Sequence, residues 1–172
     1  MRTVSCANLL ALLIFSCLSV PATSMAQDAS CQREDVLDPP RIVYRCPNGL
    51  VLEAEAAADL ELQQQPGSTG PAAASLSGKA VLIEVAPGSG PFQILTPHAI
   101  AAVRGTIYAV DVTGEATSVF VLRGEVAVSR ADGSQAVSLS PGEGVDVSAA
   151  QPLQVRVWGQ PRVAGLLARF AR

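Results

Sequence analysis

Residues Phe92–Thr106 read FQILTPHAIAAVRGT. Phe92–Leu95 is a short apolar strand stopped at Thr96-Pro97, and an Arg-Gly-Thr step closes the stretch. From there to about Val157 the chain continues as strand, turn and strand. Val103–Val112 alternates with apolar residues on both faces, the pattern of a strand running through a core. Thr113-Gly114 ends it. Ser118–Leu122 and Glu125–Ser129 follow, broken at Arg123-Gly124, and Asp132-Gly133 is a strong hairpin signal. Ala136–Leu139, a turn at Ser140-Pro141-Gly142, Val145–Val147 and Leu153–Val157 complete the series. Upstream, Ala80–Val85 is a strand stopped by Pro87-Gly88-Ser89-Gly90-Pro91. Short strands at regular spacing with Gly-rich turns predict a mainly β chain, a single all-β roll or sandwich.

The flanks read differently. Leu50–Leu62 (LVLEAEAAADLEL) is rich in Ala, Glu and Leu, and Leu52, Ala56 and Leu60 recur at i, i+4 and i+8, which predicts a short N-terminal helix. Residues 63–77 are low-complexity and punctuated by Pro and Gly, as in a linker. Residues 161–172 change period: Val163, Leu166, Leu167 and Phe170 share one face of an amphipathic C-terminal helix opened by Pro161. That helix packs on the sheet, or it docks a partner or an anionic lipid surface through its apolar face and its arginines.

The N-terminus predicts export. Arg2 supplies a positive start, Leu9–Phe15 an apolar centre, and Ser24-Met25-Ala26 small residues for cleavage before Gln27, which makes residues 1–26 a signal peptide. The apolar run is shorter than the roughly 20 residues a spanning helix needs. A lipid-bearing Cys17 is the alternative. The expected location is periplasmic or secreted, with membrane association peripheral at most. Without Arg2, eleven basic residues stand against fifteen acidic ones. Nucleic acid, which needs a clustered basic surface, is not an expected partner. Two of the four cysteines leave with the signal peptide; Cys31 and Cys46 remain, an even pair in an oxidising compartment. Their disulfide would pin the polar leader of residues 27–49. CxxC spacing is absent, and one His with two Cys is too few for zinc.

No catalytic set emerges. The single histidine, His98, has no GxSxG or comparable companion motif, and no phosphate-cradling Gly loop is present. Carboxylates occur at Asp111, Glu115, Glu125, Glu143 and Asp146, without the aromatics of a sugar cleft or the tight spacing of a calcium loop. The expectation is a non-enzymatic chain with no cofactor and no metal. Candidate partner-binding residues are Arg104, Thr106, Trp158, Arg162 and Arg169. Each has a structural alternative: Arg104 and Thr106 at a bulge or exposed edge, Trp158 as a lid between sheet and helix.

Gly78–Val147 resembles the FecR domain. The matching pieces are GKAVLIEVA (78–86), PFQI (91–94), TPHA (96–99) with VRGT (103–106), VFVLRGEVAV (119–128) and LSPGE (139–143). The resemblance implies an extracytoplasmic β-rich signalling domain over residues 78–158. The full transducers of that family carry a cytoplasmic anti-sigma segment, a membrane helix and a further periplasmic subdomain; a cleavable signal stands here in place of the first two. The implied role is a protein-binding accessory in signal transduction, its partner the extracytoplasmic part of a membrane sensor or transporter. An envelope scaffold or glycan- and cell-wall-binding module is the alternative.

Overall fold

The computed structural model describes residues 31–65 and 67–172. The expected signal peptide, its cleavage point and Cys17 lie outside the described residues. In chain order the strands are β1 (Gln32–Leu37), β2 (Pro40–Arg45), β3 (Leu50–Glu55), β4 (Leu60–Gln63), β5 (Ala73–Leu76), β6 (Lys79–Val85) and β7 (Phe92–Leu95). They continue as β8 (Ala99–Val103), β9 (Ile107–Val112), β10 (Thr117–Arg123), β11 (Val126–Arg130), β12 (Ala136–Leu139), β13 (Glu143–Val147) and β14 (Arg156–Val157). One helix, α1 (Gln160–Ala168), follows.

Two sheets result, an eight-stranded one in the order β1-β2-β3-β6-β9-β10-β13-β14 and a six-stranded one in the order β12-β11-β8-β7-β5-β4. Hairpins form within one sheet, and the chain then crosses to the other. The β5–β7 pair is parallel because β6, which separates them in sequence, sits in the opposite sheet. The expected β sandwich is thus the observed architecture.

Period-two alternation decides what lies between the sheets. Leu52, Val81, Ile83, Val110 and Val119 from the larger sheet meet Leu76, Phe92, Ile94, Val126, Val128 and Leu139 from the smaller, all buried. Full burial of such a side chain contributes roughly 1.5–3 kcal/mol, so this layer dominates stability. A second apolar layer covers the outer face of the larger sheet, where Ala80, Leu82, Ala109, Phe120 and Trp158 pack against Leu166 and Phe170. The period of the C-terminal segment therefore serves as expected, with α1 laid on the sheet.

Three expectations change. Residues 50–62 hold no helix: β3 and β4 occupy that span. Leu50, Leu52 and Ala54 alternate inward between β2 and β6, while Glu53 and Glu55 on the outer face are met by arginines. A sheet slot with both faces satisfied outweighs helix propensities of a few tenths of a kcal/mol per residue. The expected linker contains β5, whose Ala74 and Leu76 enter the core. The expected continuous strand Val103–Val112 is two strands in different sheets, parted where Gly105 takes a φ of 63°.

The leader is a hairpin. Cys31 and Cys46 form the expected disulfide across its open end, beside the Gln32–Arg45 pair.

One polar oddity sits in the main core. Tyr108 and Thr106 are fully buried, and neither hydroxyl has a hydrogen-bond partner among the described residues. An unpartnered buried hydroxyl carries its desolvation cost without return. Tyr108→Phe is therefore expected to leave stability unchanged or raise it by about 1 kcal/mol. Urea unfolding checks this, and a clear loss of stability would refute it.

Candidate interaction site

The arginines of the tail were candidates for partner binding, and the fold pairs them with carboxylates of the larger sheet. Arg169 donates from Nε to Glu55 Oε1 at 2.7 Å and from Nη1 to Asp111 Oδ2 at 2.8 Å. Arg172 donates to Glu53 Oε1 at 2.7 Å, and Arg41 reaches the other oxygen of the same carboxylate at 2.9 Å. Arg162 donates to Asp146 Oδ2 at 3.0 Å and lies over the Trp158 ring, 3.4 Å from its centroid. Trp158 itself is buried and stacks on Phe120 with centroids 5.1 Å apart. Arg162, Arg169 and Trp158 thus hold α1 to the sheet.

The Arg169 clamp makes stability depend on pH. The hydrogen bond from Arg169 holds the Glu55 carboxyl below its ordinary value, against burial, which pushes it up; the Ala80 N–H adds to the lowering. A depressed carboxylate contributes stability that is present above its unfolded value, near 4.5, and lost as pH falls through the lower folded value. Acid unfolding of the wild-type chain should therefore weaken α1 below that pH, and Arg169→Ala should flatten this part of the profile. Identical acid profiles for the two proteins would rule the clamp out.

Thr106, another candidate, is fully buried and faces the core, so it offers nothing to a partner. His98 places Nδ1 3.2 Å from Thr117 Oγ1, which lies 2.8 Å from Thr96 Oγ1. This chain of side chains ties the loop after β7 to β10. The acidic residues are dispersed: Asp111 and Asp146 face arginines, Glu125 accepts from Ser138, and Glu143 accepts from the Ser140 N–H. Among the described residues no three His, Cys, Asp or Glu side chains come together as metal ligands.

Arg104 is different. It is exposed, makes no hydrogen bond or ion pair among the described residues, and lines a groove of about 690 Å³ on the outer face of the six-stranded sheet. Its lining includes Gln93, Ala102 and Ala127, exposed residues of β7, β8 and β11, together with Pro91, Gln65 and Glu125. Small side chains let another chain approach closely, and the two amides offer both donors and acceptors. The larger sheet has α1 on its outer face; this groove has no such cover from the described elements.

Sequence reading found Arg104 but missed Gln93 and Gln65, since nothing in an alternating strand says which exposed residues share a concave surface. It also passed over Arg123. The available signal was the recurrence of Arg-Gly at 104–105 and 123–124.

No curated protein matches the chain. Among solved structures, it resembles two crystal structures from Parabacteroides distasonis ATCC 8503 that are provisionally described as an anti-sigma factor. One aligns with a TM-score of 0.61 at 19% identity over 79% of this chain, the other with 0.62 at 18% over 80%. In each case 64% of that structure's own chain is covered. At such identity the likeness establishes the fold. The family of FecR proteins matches residues 41–127, from β2 into β11, and so reaches further upstream than the segment that first suggested it. With half of the sequence inside that match, the chain belongs to the FecR family.

Proposed function

We propose that this protein is a non-enzymatic accessory of extracytoplasmic signal transduction, which binds the exposed part of a membrane sensor or transporter. The observation that carries the reading is the groove at Arg104, lined partly by small side chains and by a cation unpaired among the described residues, in a chain of the FecR family. The Cys31–Cys46 disulfide supports an oxidising compartment. Among the described residues no helix is long and apolar enough to cross a membrane. The two similar structures, described as an anti-sigma factor, lend the signalling context.

In-cell cross-linking of the tagged protein, followed by mass spectrometry, tests the reading. One enriched membrane sensor or transporter is the expected result. Recovery of cell-wall fragments alone would replace it with the scaffold role, and recovery of nothing would refute it.

A further inference from the structure

Ten arginines lie among the described residues, and eight of them have partners inside the fold. The two without hydrogen bond or ion pair are Arg104 and Arg123, both exposed. Their positions correspond. Each stands directly before a glycine of positive φ, Gly105 at 63° and Gly124 at 84°. Each of these glycines turns the chain between sheets, from β8 to β9 and from β10 to β11. The corners also touch: a Cβ placed on Gly124 would fall 2.6 Å from Thr106 Cγ2 and 3.1 Å from Gly105 O. Two unpaired guanidinium groups are thus carried on adjoining backbone corners, and one of them borders the groove.

Resting on the protein-binding reading above, we infer that these Arg-Gly corners recognise an acidic, extended segment of the partner protein, seated in the groove and passing over the corner edge. A guanidinium presents a planar fork that matches a carboxylate with two parallel hydrogen bonds. Gln93 and Gln65 can serve the backbone of an extended chain, which has donors and acceptors to satisfy. Glu125, which also lines the groove, has its Oε1 engaged by the Ser138 hydroxyl and selects against a second carboxylate on its own side. The charge count separates this occupant from other anions. Anionic membranes are bound by clusters of about four to eight basic residues. Nucleic acid binding likewise rests on many phosphate contacts. Two arginines on a chain of net charge −3 fit a few carboxylates.

A display selection of short unstructured peptides on the intact protein tests the inference. Wild type is expected to enrich sequences bearing Asp or Glu, and Arg104→Glu with Arg123→Glu to enrich Lys and Arg instead. Against a selected acidic peptide, Arg104→Ala should weaken binding by about tenfold or more, the change expected for one lost charge-assisted pair, and Arg123→Ala by less. Because both side chains are exposed and unpaired, the variants should melt as wild type does. Peptides selected without charge bias, or binding indifferent to the double reversal, would overturn the inference. Failure to enrich any peptide, with co-sedimentation on vesicles containing anionic lipid, would overturn it in favour of a membrane surface. If wild type and the reversed variant cross-link the same partner equally well in cells, the corners are not the recognition element, although the protein-binding reading stands. If wild type cross-links no protein, that reading fails and the inference with it.

Discussion

Trp158→Ala is expected to remove about 3–5 kcal/mol of stability, the range for truncating a large buried aromatic. Trp158 is 9% exposed and closes the second apolar layer. It stacks on Phe120 and supports Arg162. The sheet has been shaped to receive it: a Cβ on Gly144 would lie 2.4 Å from the indole and 2.7 Å from the Val119 carbonyl oxygen. Truncation therefore leaves a hollow that neighbouring side chains cannot fill without backbone movement. The Arg162 contact is the smaller part of this effect, since a cation over an aromatic ring at an exposed site contributes about 0.5–1 kcal/mol. Arg162→Ala should accordingly shift the denaturant midpoint much less. Limited proteolysis should cut the tail of the Trp158 variant while the core between the sheets resists. An unchanged midpoint would show that α1 is held by its ion pairs alone.

Replacing both Cys31 and Cys46 by Ser should cost about 3 kcal/mol, the chain-entropy value for a closed loop of about 15 residues. The loss should fall on the hairpin first. β1 is the outer strand of the larger sheet, pairs only with β2, and exposes most of its side chains. β2 keeps β3 on its other side, and β6, β9 and β10 lie beyond β3 in the same sheet, each with a strand on both edges. Hydrogen exchange should therefore speed up in β1 while β6, β9 and β10 stay protected. The single change Cys31→Ser should also make the Cys46 thiol open to labelling, although it is 8% exposed in the intact protein. Equal loss of protection across both sheets would mean that the hairpin belongs to the same cooperative unit as the core.

The sandwich was legible where one strand's own pattern was enough. Phe92–Leu95 emerged with its observed bounds, and Ala136–Leu139 likewise, because turn residues flank each of them. The spacing of Val163, Leu166, Leu167 and Phe170 showed the apolar face of α1 without reference to what it covers. The candidate site was half legible. Arg104 was marked by its Arg-Gly-Thr step, whereas Thr106 in the same step faces the core and Arg162 and Arg169 are spent on α1. Side chains of one type differ here only in which partners the fold brings near.

The sequence by itself determined that the chain is mainly β, that Cys31 can close on Cys46, and that the tail is an amphipathic helix. Each depends on short-range alternation, turn chemistry or a count of cysteines. Only the tertiary structure decided that residues 50–55 are a strand. Its outward carboxylates Glu53 and Glu55 are satisfied by Arg172 and Arg169, more than a hundred residues away, which no local period can express. It also decided that, among the described residues, Arg104 and Arg123 are the arginines left without partners. Local pattern encodes which face of an element is apolar; what covers the opposite face is settled by contacts between segments distant in sequence, where hydrogen bonds and charges are either paired or left for a partner.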